Sequence, residues 1–372
     1  MSVTSSPRYT TPHEVTASWI AREGEGAVRV AVDTAGGDHA PNAVVDGALR
    51  VADAHLHVVL VGDEALISPL LGGGHPHVSV IHAPDVIGYR EEAAHAARNR
   101  TESSIVVGLR LVRDGEADAF VSAGNTGAVV AGSVLHVRRI KGVLRPAICT
   151  IMPCMPAPIA FLDAGANAEC RPEHLLQFAV MGQAFASEVM GLPEPQVGLL
   201  SIGEEPTKGT PEVIDAHRLM AADERVRFYG NVEGRDIMNR VVDVVVADGF
   251  TGNVALKTIE GSARAILSAL RATIDTSAAT KVGGLLLRRD LLRLKAALDP
   301  EEYGGALLVG MNAPIVIAHG NSKAAGIANA IRQGRRGVVS DLQPTITREL
   351  GPAFSPRTHC VDSGETHLEV DR

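Results

Sequence analysis

The sequence predicts an α/β fold built on a mainly parallel sheet. From Val28 to Gln333, short Val- and Ile-rich runs alternate with segments of helical spacing, and no linker interrupts them. Three of the runs end in a Gly-rich polar loop and then resume as a helix, which predicts that the three loops share one anion-binding crevice at the carboxyl ends of the strands. Hydrophobic residues make up 45% of the 372 residues and charged residues 21%, which is enough apolar sequence for one large core. This alternation favours a sheet with helices on both faces.

The individual elements follow from where the apolar runs begin and end. Strands are predicted at Val28–Val32, Val58–Val61, Val78–His82, Ala119–Val121, Ile148–Ile151, Ile159–Leu162, Val197–Ile202, Val226–Tyr229, Val242–Ala247 and Ile315–Ala318. Helices are predicted between most of them, among them Asn42–Ala54, Ser104–Arg113, Glu173–Met190, Glu212–Ala221 and Lys323–Arg332. We expect a disordered extension over residues 1–27, an α/β domain over 28–335, and a helix end with a loose polar tail over 336–372.

Composition excludes several classes of protein. The net charge of −8 and the aromatic content of 3% argue against a nucleic-acid-binding role. The four cysteines, Cys149, Cys154, Cys170 and Cys360, show no paired-thiol or zinc spacing and indicate buried thiols in a reducing cytosol. The N-terminus lacks the apolar region of a signal peptide. The sequence therefore predicts a cytoplasmic protein, or at most one that associates with a membrane.

The loop DGFTGN, which follows the predicted strand Val242–Ala247, is the most informative of the three. If its helix begins near Gly252, then Asn253 and Lys257 lie on one face, and the Lys257 ammonium reaches back over the opening turn. Amide donors, the helix dipole and an ammonium then converge on one point, as in a phosphate site. Asp248 is a further candidate for orientation or proton transfer. A solvated surface lysine is the alternative.

The loop SAGNTGA combines two glycines with two polar side chains. Gly124 and Gly127 let the backbone approach a ligand, while Asn125 and Thr126 can cap the helix and donate to an oxyanion. Helix capping alone is the alternative. Ser122 does not stand in a G-x-S-x-G nucleophile elbow, so a covalent role is not favoured.

The loop TAGGDHAP offers close backbone approach and one titratable ring. Gly36 and Gly37 suit a ligand-binding turn, and His39 can carry a proton near neutral pH. Asp33 and Asp38 are expected to orient His39 or cap the following helix. The loop is not a G-x-G-x-x-G motif, and the histidines form no zinc-binding cluster, so neither a dinucleotide nor a metal ion is predicted.

Many motifs in register extend this interpretation. The motifs are, in chain order, VDTAGGDHAP, EADAFVSAGNTGA, RIKGVLRPAI, LDAGANAECRPEHLLQFAVMG, VGLLSIGEEPTKG, FYGNVEGRDI, VVVADGFTGNVALKT and LDPEEYGGALLVGMNAPIVIAHGNS. Together they resemble the bacterial phosphate acyltransferases of phospholipid synthesis, which are acyl-carrier-protein:phosphate transacylases. The resemblance implies a Rossmann-like α/β/α fold similar to phosphotransacetylases and isopropylmalate-type dehydrogenases. It also implies a homodimer that transfers an acyl group from acyl carrier protein to inorganic phosphate, giving acyl phosphate for glycerol-3-phosphate acylation.

In this interpretation phosphate attacks the thioester directly and no cofactor is needed. Lys257, Asn253 and the loop Asn125–Gly127 hold the phosphate and the oxyanion, while His39 and Asp248 orient groups or move a proton. Two other functions remain open. One is a nicotinamide-dependent hydroxy-acid dehydrogenase on a related fold, and the other is a non-enzymatic scaffold that binds a carrier protein at the membrane.

The segment after Lys281 predicts membrane contact. Gly283 and Gly284 can end one helix and Pro300 limits the next, in which Leu287, Leu291, Leu294 and Leu298 form an apolar stripe beside basic residues. Such a helix is typical of an anionic membrane surface. The resemblance points the same way, since it implies a protruding helical hairpin over about 261–299, peripheral membrane attachment and contact with the membrane glycerol-3-phosphate acyltransferase. A packed dimer or core helix is the alternative.

Overall fold

The strands of the computed structural model, which describes residues 27–154 and 156–351, form one eleven-stranded sheet. The strands are β1 Val28–Asp33, β2 Leu56–Gly62, β3 Val78–His82, β4 Ala119–Ser122, β5 Ala147–Met152, β6 Ile159–Leu162, β7 Val197–Leu200, β8 Phe228–Val232, β9 Val244–Val246, β10 Ala306–Val309 and β11 Ile315–Ile317. Their order is β3-β2-β1-β4-β11-β10-β5-β6-β9-β7-β8. The predicted loose ends before Ala27 and after Gly351, with Cys360, lie outside the described residues.

The helices occupy most of the connections between these strands. They are α1 Asn42–Leu49, α2 Glu64–Leu71, α3 Ala93–Asn99, α4 Ser104–Arg113, α5 Thr126–His136, α6 Pro172–Glu188, α7 Pro211–Ala222, α8 Gly234–Asn239, α9 Gly249–Ile274, α10 Ala278–Leu286, α11 Arg288–Ala297, α12 Ala324–Val339 and α13 Leu342–Leu350. A short 3₁₀ helix, Pro300–Tyr303, precedes β10.

Alternating side chains of the sheet enter two separate buried clusters. Val30 and Val32 of β1 belong to one cluster together with Phe178 of α6. Ala31 belongs to the other, together with Leu109 of α4. Because successive strand residues point to opposite faces, helices cover both sides of the sheet. The predicted three-layer α/β/α arrangement is confirmed.

The sheet is mainly parallel, but its direction changes in the middle. β3, β2, β1, β4 and β11 are mutually parallel. β10 pairs antiparallel with both β11 and β5, and β5 pairs antiparallel with β6. β6, β9, β7 and β8 are again parallel to one another. Strand β9 therefore points opposite to β1 and β4, and its carboxyl end lies at the other end of the sheet.

The C-terminal part of the described chain is packed against the domain. The predicted boundary at residue 335 falls inside α12, which continues to Val339. Helix α13 then packs against α6 and buries Leu342, Ile346 and Leu350. These apolar residues recur at helical spacing, so residues 336–350 add to the core.

The helical hairpin differs in detail from the prediction. Its first helix, α9, is 26 residues long and begins at Gly249, so a boundary at 261 falls inside it. The predicted helix end at Gly283–Gly284 is wrong, because α10 continues through both glycines to Leu286. Gly284 packs closely on α9, since a Cβ built there would lie 2.5 Å from Cγ2 of Ile274. The sequence signal of a helix stop is here a site of close helix packing.

Two glycines of α9 give a matched test of this packing. A Cβ on Gly252 would lie 2.0 Å from the carbonyl oxygen of Asp163, whereas one on Gly261 would meet nothing within 4 Å. We expect Gly252→Ala to destabilise the fold by about 1–3 kcal/mol through overpacking. Gly261→Ala should leave stability unchanged or raise it by up to about 1 kcal/mol. Urea unfolding of both variants measures the difference, and equal midpoints would contradict it.

Candidate active site at the carboxyl ends of β1, β4 and β11

A buried carboxyl group joins the loops after β1 and β4. Asp33, at the end of β1, accepts hydrogen bonds from the Ser122 hydroxyl at 2.6 Å and from the Ala35 amide at 3.0 Å. Burial raises the pKa of Asp33, and the hydroxyls of Ser104 and Ser122 oppose part of that shift. Ser122 is itself buried, and its hydroxyl is hydrogen-bonded to this carboxyl, which is a structural role. Asp33 therefore anchors both loops.

The glycines of these loops allow the loops to touch each other. A Cβ on Gly36 would lie 2.5 Å from the Gly124 nitrogen. The Gly36 amide bonds to Asp33, and the Gly124 amide donates to the Ser122 hydroxyl at 3.0 Å. Both amides are therefore used in hydrogen bonds within the loops. Gly37, at a φ of 101°, brings in the loop after β11, because a Cβ there would lie 3.1 Å from the carbonyl oxygen of Gly320.

The remaining residues of SAGNTGA have structural contacts. The Asn125 side chain caps α5 by accepting from the Ala128 amide at 3.1 Å, and it donates to the Gly88 carbonyl at 3.0 Å. Its amide group is thus occupied, as the capping interpretation expects. Gly127 packs on α3, where a Cβ would lie 2.8 Å from that of Ala93. Thr126 alone of this group presents an exposed side chain.

Two histidines contact the same residue, Asn321, in the loop after β11. Nε2 of His39 lies 2.9 Å from Oδ1 of Asn321, and the Asn321 backbone amide donates to Nδ1 of His319 at 3.3 Å. His39 therefore contacts the loop after β11, and its role at the site stays a prediction. His319 was missed. The motif HGNSK marked this loop as polar, but nothing in the sequence indicated that its histidine faces the long helix.

Lys257 reaches this loop by a different route from the one predicted. Its Nζ lies 2.9 Å from Oε2 of Glu260 and 3.3 Å from Nε2 of His319. Helix α9 begins at Gly249, which places Lys257 in the third turn, and its ammonium does not reach back over the opening turn. Because β9 points away from β1 and β4, α9 crosses the sheet. Nine residues of helix carry the chain about 14 Å from Asp248 to Lys257.

The start of α9 forms a second group of predicted residues. Asp248 caps the helix, accepting from the amide and the hydroxyl of Thr251 at 2.8 and 2.7 Å. Gly252 packs on the carbonyl of Asp163, whose side chain is also buried. Asn253 is exposed, one turn before Lys257 on the same side of the helix. The prediction that DGFTGN opens into the same crevice as the other two loops is therefore wrong, and the α9 face connects the two groups instead.

The charges around His319 favour its neutral form. Burial is the largest cause that lowers its pKa, followed by the ammonium of Lys257, while Glu260 and Asp38 oppose the shift. A lowered pKa favours the neutral ring of His319 at neutral pH. In the tautomer in which Nδ1 accepts from Asn321, Nε2 carries a hydrogen, so that two donors, Nε2–H and Lys257, face each other.

The thiols of the described residues are unsuited to nucleophilic chemistry. Burial raises the pKa of Cys154 and Cys170 to about 12, and it raises that of Cys149 further. Thiols with such pKa values remain protonated at neutral pH. Over residues 27–154 and 156–351, no three His, Cys, Asp or Glu side chains are grouped so as to hold a metal ion. The same residues include no helix long and apolar enough to cross a bilayer.

Comparison with known proteins identifies the family. The model of the family described as "Fatty acid synthesis protein" matches residues 28–343. Phosphate acyltransferase from Geobacillus thermodenitrificans is 46% identical over 327 residues, which cover 87% of this chain and 99% of that protein. The phosphate acyltransferase of Thermobifida fusca is 44% identical over 86% of this chain and 91% of its own. This chain is a member of the phosphate acyltransferase family.

Solved structures support the fold independently. The EutD phosphotransacetylase of Staphylococcus aureus superposes with a TM-score of 0.58 at 16% identity, covering 88% of this chain and 99% of that chain. A phosphotransacetylase of Streptococcus pyogenes gives 0.58 at 17% identity, covering 87% and 96%. At this identity the likeness concerns the fold. Membership of the phosphate acyltransferase family makes the chain an acyltransferase of fatty acid and phospholipid synthesis, and decides against the dehydrogenase and scaffold interpretations.

The Lys257–His319 contact can be tested by titration. Replacing Lys257 with Gln removes a positive charge that disfavours the imidazolium, so we expect the His319 pKa to rise toward about 6.5, the value of an unperturbed histidine. Histidine NMR titration of Lys257→Gln and wild type, assigned with His319→Gln, measures the shift. Lys281→Gln, which removes an exposed lysine of α10, is the control. An unmoved His319 titration in Lys257→Gln would show that the two groups do not interact.

Proposed function

We propose that this acyltransferase moves a fatty acyl group from an acyl carrier protein thioester to inorganic phosphate. The product is an acyl phosphate that serves glycerol-3-phosphate acylation. The observation that carries the proposal is the pair of side-chain nitrogens, on His319 and Lys257, beside the loop after β11. Nε2 of His319 and Nζ of Lys257 lie 3.3 Å apart, and in the tautomer in which Nε2 carries a hydrogen an anionic oxygen placed beside both accepts a hydrogen bond from each.

Direct attack by phosphate accounts for the chemistry without a covalent enzyme intermediate. A phosphate oxygen bonds to the thioester carbonyl carbon, the C–S bond breaks, and the sulfur leaves as a thiolate. Since an unperturbed thiol has a pKa of about 8.5, that leaving group needs little assistance before it takes up a proton. The enzyme's task is to hold a multiply charged anion against the carbonyl and to stabilise the oxyanion.

The predicted residues take distinct parts in this scheme. Lys257 balances the phosphate charge, and Asn253, one turn earlier on α9, offers an exposed amide to the thioester or its oxyanion. His39 is linked to His319 through Asn321, and we assign it the exchange of a proton with the phosphate. Asp248 supports the site by capping α9. The glycines Gly36 and Gly124 keep the loops of β1 and β4 close enough to form its wall.

Acyl phosphate formation tests the proposal and the role of Lys257 together. Incubated with acyl carrier protein thioester, the wild-type enzyme should form acyl phosphate only when phosphate is added. Lys257→Ala should raise the KM for phosphate about tenfold or more, since a charge-assisted hydrogen bond contributes about 1.5–3 kcal/mol. Lys281→Ala is the matched control and should behave as wild type. Thioester loss that does not depend on phosphate would refute the function, and an unchanged phosphate KM would remove Lys257 from the site.

We also propose that the hairpin attaches the enzyme to anionic membranes. Its most exposed apolar residues cluster around the α10–α11 junction, where Leu285 is 69% and Leu286 80% exposed. The predicted stripe is only partly exposed, because Leu287 faces solvent whereas the other three leucines are half-buried: Leu291, Leu294 and Leu298. Arg288, Arg289, Arg293 and Lys295 flank this surface. Peripheral attachment fits a homodimer that passes a labile acyl phosphate to a membrane glycerol-3-phosphate acyltransferase.

Vesicle binding distinguishes the exposed leucines from the rest of the surface. We expect Leu285→Glu with Leu286→Glu to abolish cosedimentation with anionic phosphatidylglycerol vesicles, because two apolar contacts become two repelled charges. Turnover of the soluble thioester should be retained. Leu66→Glu, at an exposed leucine of α2, is the control and should bind as wild type. Undiminished vesicle binding by the double variant would place the membrane contact elsewhere.

A further inference from the structure

The segment that precedes β5 carries a concentration of positive charge. Four cations lie within eight residues that include no acid: Arg138, Arg139, Lys141 and Arg145. We call them the basic ridge. All four side chains are exposed. The whole chain has a net charge of −8, so this surface has the opposite sign from the average of the protein. A local excess of this kind favours an acidic partner.

The ridge is held rigidly by the residues between its cations. Ile140 and Val143 are buried, and the Ile140 amide donates to the Gly310 carbonyl at 3.0 Å. The guanidinium of Arg139 donates to the carbonyls of Val143 and Leu144, which closes the loop on itself. The cations therefore stand on a fixed backbone, and a partner binds them without having to order a flexible loop.

The charges of the ridge are not neutralised by the protein. Many other surface arginines pair with a carboxylate, as Arg29 does with Asp118 at 2.8 Å and Arg227 with Glu194 at 2.6 Å. Over the described parts of the chain, the ion pairs that the structure forms include none to a ridge side chain. The ridge thus presents its full positive charge to a partner.

The ridge adjoins the start of α9. Because β5 runs antiparallel to β6, the chain entering β5 lies at the carboxyl end of β6 and β9. The carbonyl of Pro146 accepts from the Asn167 side chain at 2.8 Å, and the carbonyl of Asn167 accepts from the Gly249 amide at 2.7 Å. Two hydrogen bonds therefore connect the end of the ridge to the first residue of α9, four residues before Asn253.

We propose that the basic ridge is the docking surface for the carrier protein that delivers the acyl thioester. The inference rests on the proposed function and adds the place where the donor binds. When the acidic surface of the carrier protein binds the ridge, the acyl-bearing arm of the carrier lies at the start of α9. The arm then runs along the α9 face past Asn253 to Lys257 and His319. The ridge acts on recognition of the carrier and makes no contact with the reacting atoms.

A donor comparison tests this docking separately from the chemistry. The triple variant Arg138→Glu, Lys141→Glu and Arg145→Glu should raise the KM for acyl carrier protein at least tenfold. Turnover of acyl-pantetheine, which lacks the protein, should be unchanged. The matched control carries the same charge change at three exposed cations outside the ridge and the membrane surface, as Arg98→Glu, Arg271→Glu and Lys281→Glu, and should keep the wild-type KM for acyl carrier protein.

Direct binding keeps the test valid whatever the turnover. Calorimetric titration with acyl carrier protein should show at least tenfold weaker binding to the ridge variant, and wild-type binding should weaken as salt rises. The variant Arg138→Gln, Lys141→Gln and Arg145→Gln removes charge without reversing it. Its affinity for the carrier should lie between those of the wild type and the Glu variant. If the wild type and the ridge variants bind the carrier equally well, the ridge is not the docking surface. The same conclusion follows if the ridge variants lose vesicle binding while their carrier binding is unchanged. If wild-type enzyme binds carrier on the ridge but forms no acyl phosphate, the docking surface stands and the proposed function fails.

Discussion

The reversal of strand direction through β10 and β5 determines how the site is built. β4 and β11 point one way, whereas β6 and β9 point the other. A helix that leaves β9 must therefore run back across the sheet before it can meet the loop after β11. The first turns of α9 provide that distance, and their tight packing on Asp163 through Gly252 fixes its direction. The contact between Lys257 and His319 depends on this geometry.

Two buried carboxyl groups hold the loops at the two ends of the sheet. Asp33 ends β1 and gathers the loops of β1 and β4, while Asp163 follows β6 and accepts from the amides of Ile148, Ala166 and Asn167 at 2.7–2.9 Å. Burial raises the pKa of both groups, and hydrogen bonds to each carboxyl oppose the shift. Because several loop amides converge on each carboxyl, these loops are set by the protein before a substrate arrives.

Sequence periodicity predicted the layers and the mainly parallel sheet, but it did not predict the antiparallel pairs around β10 and β5. The strands Val78–His82 and Ile159–Leu162 and the helix Ser104–Arg113 were predicted to the residue, because apolar runs bounded by turn residues mark them clearly. β10 was missed, since its four residues follow two glycines and show no alternation. Antiparallel pairing is set by contacts between distant segments, which local periodicity does not report. The expectation of one shared crevice failed for that reason.

The same limit explains the outcome for the site residues. Gly36, Gly124 and Asn125 were singled out because their types suit a ligand, yet their polar groups bond within the loops. His319 was overlooked because its importance comes from Lys257, which lies 62 residues earlier in the chain. A glycine-rich loop in a sequence indicates that a backbone must approach something closely. In this protein the loops approach one another, and Lys257, which we propose for the phosphate, lies on the helix that crosses between them.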